Sequence, residues 1–66
     1  MIPPFDVFSI TNNGTLWESA AESLAQALEM ARKKGAGSYL VFSQQTGHKM
    51  MYQVDATGAI RPVHVK

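Results

Sequence analysis

The sequence predicts a two-layer α+β fold, with one helix packed on an antiparallel sheet of four or five strands in the order β-β-α-β-β-β. Three observations predict it. Stretches rich in β-branched and aromatic residues stand at 5–12, 39–43 and 49–54. Between the first strands and the later ones, Leu24, Ala27, Leu28 and Ala31 recur at helical spacing as a single apolar stripe. Glycine-bearing turns, Asn13-Gly14, Thr46-Gly47 and Thr57-Gly58, punctuate the strand-rich parts. One amphipathic helix can cover only one face of a sheet, so two layers follow.

Pro3 and Pro4 stiffen the start and delay the first strand, Phe5 to Asn12. Asn13-Gly14 then favours a two-residue type I′ hairpin, because both residues tolerate positive φ. In that register Ile10 faces Trp17 and Phe8 faces Ser19. Phe8, Ile10 and Trp17 share one face, and Val7 and Leu16 the other. Trp17, the only tryptophan, is expected in the core over the helix, with a binding anchor near the turn as the alternative.

Two capping boxes compete for the helix start, Ser19 to Glu22 and Ser23 to Gln26. Ser23 is preferred because it leaves Glu18 to Ala20 free to finish the second strand. Glu29 and Lys33 are placed as an i,i+4 pair. Arg32, Lys33 and Lys34 complement the negative end of the helix dipole, which accounts for them better than phosphate binding does. Gly35 supplies the left-handed stop.

Tyr39 to Ser43 and Lys49 to Val54 read as a hairpin around Gln44-Gln45-Thr46-Gly47, a type I turn with glycine at the bulge position. Asp55-Ala56-Thr57-Gly58 repeats that grammar and leads to a last strand, Ala59 to Val65, which Pro62 places at an edge. The strand order predicted is 2-1-3-4-5, with the helix as a right-handed crossover above the first strand.

The hairpin at 39–54 carries more apolar residues than one covered face requires. With Gln44 opposite His48, Leu40, Phe42, Met50, Tyr52 and Val54 form the larger set, which the helix is expected to cover. Tyr39, Val41 and Met51 then lie open, beside Val7 and Leu16 of the first hairpin. Fully burying an aliphatic side chain contributes about 1.5–3 kcal/mol, so these five residues are the predicted interface for a second copy of the chain or a protein partner. Scattered exposure, or cover by the last strand, is the plainer alternative.

Composition bounds the rest. Sixty-six residues with 45% apolar and 17% charged residues make a single globular domain over 1–66. Cysteine is absent, which removes disulfides and thiolate-bound zinc and fits a reducing, cytoplasmic setting. His48 and His64 are too few for a predicted metal site. The net charge of +1 implies neither a nucleic acid nor a membrane through its field. Met1 reads as a natural start, MIPPFDVF lacks the layout of a signal peptide, and no stretch approaches the roughly 20 apolar residues of a membrane span.

No motif carries chemistry. Gly35-Ala36-Gly37 lacks a third glycine and follows a helix, whereas a phosphate-binding loop precedes one. Asp55-Ala-Thr-Gly58 is one residue too long for an aspartic-protease signature. Asp6 and Glu18 share a sheet face at best, without forced convergence. No serine sits in a nucleophile elbow. The chain is therefore expected to be non-catalytic and without a cofactor. Gly37-Ser-Tyr-Leu-Val-Phe42 resembles the aromatic strand of an RNA-recognition sheet. On that alternative Tyr39 stacks on a base while Lys49 and Arg61, with His48, meet phosphates.

NNGTLW, SLAQALEMARKKG and YLVFSQQTG together resemble short uncharacterised bacterial β-β-α-β-β domains of unknown function. The resemblance implies the fold and a bacterial or phage source, and carries no functional residues with it.

Overall fold

β-branched and aromatic residues make five strands and an alanine-rich segment makes one helix. They run in the order β1 (Phe5–Thr11), β2 (Gly14–Ala21), α1 (Leu24–Lys34), β3 (Gly37–Ser43), β4 (Lys49–Val54) and β5 (Ile60–Val63). The computed structural model describes residues 3–63. The strands form one open antiparallel sheet in the order β2-β1-β3-β4-β5, and α1 packs over β1, β2 and β3. The fold is thus the predicted two-layer α+β arrangement with the predicted strand order. β5 lies at an edge, where the missing N–H of Pro62 is tolerated. The expected extension of this strand to Val65, and His64 within it, fall outside the described residues.

α1 starts where its cap allows. Ser23 is the N-cap in extended conformation, and its side chain accepts a hydrogen bond from the Gln26 amide at 3.1 Å. Gln26 answers through the Glu22 N–H at 2.7 Å, one residue earlier than a reciprocal capping box requires. At the other end Gly35 donates its N–H to Ala31 O, but at φ 121° and ψ −176°, outside the left-handed helical region. Glu29 pairs with Arg32 rather than with Lys33.

Ala27 and Ala31 are wholly buried, so the helix sits close on the sheet, with Leu24, Leu28 and Met30 filling its flanks. Beneath it lie Val7, Tyr39, Val41, Tyr52 and Val54. This corrects the expected division of faces. Tyr39 (5% exposed), Val41 (0%) and Val7 (1%) are core residues under the helix, not an open surface. Leu40 and Phe42, expected under the helix, face the other way.

Register explains the exchange. β3 and β4 pair with Tyr39 opposite Tyr52, Leu40 opposite Met51 and Val41 opposite Met50, one residue from the expected alignment. Ser43, not Gln44, closes the turn with His48, through its N–H on His48 O at 2.9 Å. A one-residue slip moves every side chain of a strand to the opposite face relative to its neighbour.

The first hairpin is corrected as well. Asn12 and Asn13 form the turn, and Thr11 pairs with Gly14. No residue other than glycine has positive φ among the described residues, while Gly14 has φ 123°, so the turn is not type I′. A bulge between Val7 and Phe8 then shifts the pairing by one residue, to Val7 opposite Ser19, still one short of the expected alignment. Phe8 therefore faces Trp17 and Ile10 faces Thr15.

Candidate functional site: the uncovered sheet face

Alternation along each strand assigns the side of the sheet away from α1. One row of paired positions crosses all five strands: Trp17 on β2, Phe8 on β1, Leu40 on β3, Met51 on β4 and Val63 on β5. Every member is apolar. Phe8, Leu40 and Met51 are half-buried by their neighbours alone, and Trp17 remains 58% exposed.

Rows of mixed character, which carry the charged residues of this face, flank this stripe. On one side run Ala20, Asp6, Phe42 and Lys49, and on the other Thr15, Ile10, Ser38, Gln53 and Arg61. Phe42 and Ile10 widen the apolar patch at the centre. The Trp17 indole N–H donates to Asp6 Oδ1 at 3.1 Å, and the Gln44 amide donates to Asp6 Oδ2 at 2.7 Å. Asp6 thus fixes the orientation of an indole that stays largely exposed. At the opposite edge, past the end of β5, an open depression of about 490 Å³ is lined by Leu40, Lys49, Met51 and Val63 of this face together with Met50, Tyr52 and Pro62 of the helix side.

Of the five residues predicted for the open surface, only Met51 belongs to this face. Leu16 is 59% exposed but has helix-side parity, opposite Ser9, near the hairpin turn where α1 leaves it uncovered. Trp17, expected over the helix, is on this face instead. Its indole N–H reaches a carboxylate at the surface, so the ring needs no buried partner.

The nucleic-acid alternative is divided in the same way. The Tyr39 ring is buried and its hydroxyl donates to Gly35 O at 2.8 Å, so it has no face to offer a base. Lys49 and Arg61 do lie on the uncovered face.

The remaining motifs resolve into structural roles. Asp55 Oδ1 accepts from the Thr57 hydroxyl at 2.6 Å, the Thr57 N–H at 2.9 Å and the Ala59 N–H at 3.0 Å, a turn that the carboxylate itself organises. Those bonds, the Thr57 hydroxyl first, hold its carboxyl below the ordinary value. Glu18, displaced by the bulge toward the helix side, accepts from Lys34 at 2.9 Å and from Ser9 Oγ at 2.6 Å. The hydrogen bond from Lys34, then that from Ser9, hold its carboxyl low. Asp6 and Glu18 therefore point to opposite faces rather than converging. Arg32 and Lys34 are each engaged by a glutamate. Gly35-Ala36-Gly37 joins a helix C-terminus to a strand, the reverse of a phosphate loop. Among the described residues no helix is long and apolar enough to cross a membrane. Comparison with known proteins returns no matching protein family, no matching curated protein and no matching solved structure.

Proposed function

We propose that this protein is a small non-catalytic interaction module that associates with a second copy of itself through the uncovered sheet face. The observation that carries it is the unbroken apolar row from Trp17 to Val63, which nothing in the chain shields among the described residues. Contiguous apolar surface rimmed by polar residues marks an interaction site. A second copy fits because the face carries one acidic and two basic residues, Asp6 against Lys49 and Arg61, and so is self-complementary rather than single-signed.

The area sets the expected strength. Five strands spaced about 4.8 Å apart, overlapping over about 20 Å, give a face on the order of 500 Å². Two copies then hide about 1,000 Å² between them, at the low end for a specific interface. Association in the micromolar range is expected rather than a permanent dimer.

Sedimentation velocity on wild type and on Leu40→Lys tests this directly. Wild type should move from monomer to dimer between low micromolar and millimolar concentration, while Leu40→Lys, at the centre of the row, stays monomeric with unchanged circular dichroism. A wild-type chain that is monomeric throughout overturns the proposal. Binding of a single-stranded oligonucleotide that weakens steeply with salt, in place of self-association, would favour the nucleic-acid reading.

A further inference from the structure

We infer that the two copies meet with their two-fold axis lying along β3, so that Asp6 of each faces Lys49 of the other and Trp17 of each enters the β4–β5 depression of the other. This rests on the self-association proposed above and specifies its geometry.

The sheet order places β1 and β4 one strand to either side of β3, and β2 and β5 two strands to either side. Face-to-face sheets pack either aligned to within about 30° or near right angles, and for the aligned class there are two choices for a two-fold axis in the interface. An axis along β3 keeps each row over the same row and exchanges β1 with β4 and β2 with β5. An axis across the strands keeps each strand over itself and exchanges the flanking rows.

The residues discriminate between them. Asp6 and Lys49 occupy the same flanking row, on β1 and β4. The axis along β3 therefore sets Asp6 over Lys49 of the second copy, twice per dimer. Within one chain neither residue forms an ion pair among the described residues. The axis across the strands instead sets Asp6 over Ile10, stranding a carboxylate on apolar surface.

Shape agrees with charge. In the central row the axis along β3 sets Trp17 over Val63 and Phe8 over Met51 of the second copy. The exposed indole thus meets the side of the depression that Leu40, Met51 and Val63 line. The other axis sets Trp17 over Trp17 and the depression over itself, leaving the depression unfilled. Leu40 lies at the centre of both arrangements and does not distinguish them.

Charge exchange provides the test. Asp6→Lys and Lys49→Asp should each weaken self-association at least about tenfold, since each juxtaposes like charges twice. Mixing the two variants should restore a heterodimer of near wild-type affinity, because one then carries both cations and the other both anions. Ion-exchange chromatography and sedimentation of the mixture read this out. Asp6→Lys also removes the acceptor of Trp17 and Gln44, so a second measurement avoids that site. The chain has no cysteine, and Phe8→Cys mixed with Met51→Cys should cross-link with a short bismaleimide, whereas Phe8→Cys alone should not. Wild type that fails to dimerise sinks the self-association itself. A wild-type dimer with no rescue in the charge mixture, and with Phe8→Cys cross-linking to itself, overturns the axis alone.

Discussion

Tyr39 illustrates how much one side chain's environment decides about its role. Its ring lies under α1, and its hydroxyl spans from β3 to the carbonyl of Gly35 just past the helix. Burial, with the charge of Glu18 second, raises its phenol above the ordinary value. The hydroxyl therefore ties the helix end to the sheet, satisfying a carbonyl that the helix leaves unpaired. Tyr39→Phe should lower stability by roughly 1 kcal/mol, the usual contribution of one such bond, read as a shift in the urea midpoint at unchanged slope. Because the ring is on the helix side, the same substitution should leave self-association unaltered. A change in oligomeric state with little loss of stability would place Tyr39 at the interface instead.

Elements are joined here by small polar devices, and the first hairpin shows one. The bulge between Val7 and Phe8 turns Glu18 toward the helix side, where Lys34 in the last turn of α1 meets it. Glu18 and Asp55 are both held below the ordinary carboxylate value in the folded chain. The unfolded chain then takes up protons first as pH falls, so their contribution is full above roughly pH 5 and is lost as pH falls through the folded values. Stability measured by urea unfolding should be flat near neutrality and decline below about pH 5, with a shallower decline in Glu18→Gln. The elements themselves were legible because periodicity, the Ser23 cap and the glycine turns agree with one another. The faces were not, because counting apolar residues gives two similar sets. The missed signal was charge. Asp6 alternates with Val7, and Lys49 and Gln53 share parity with Met51, so the charged parity had to face water and the Val7, Tyr52 and Val54 parity the helix. A turn shifted by one residue, from Asn13-Gly14 to Asn12-Asn13, is beyond periodicity to foresee, since both pairs contain turn-forming residues.

At the scale of the whole molecule, one helix over a five-stranded sheet leaves the other side of the sheet without a covering layer among the described residues. A chain of 66 residues buries a modest share of its surface, so shielding the row from Trp17 to Val63 should add noticeably to its stability. If a second copy does the shielding, unfolding becomes linked to dissociation and apparent stability rises with concentration. Above the dissociation constant each tenfold increase should add roughly 0.7 kcal/mol per protomer, or about 3–5 °C in the thermal midpoint of a domain this size. On that reading Leu40→Lys should abolish association while leaving α1, Val7, Val41 and Val54 in place, so its midpoint should not move with concentration. Calorimetry of both proteins over two decades of concentration separates the cases. A concentration-dependent wild type beside an independent Leu40→Lys ties the stabilisation to this face. Identical, concentration-independent midpoints would mean that the apolar row stands in water without a second copy, and that the core beneath the helix holds the fold alone.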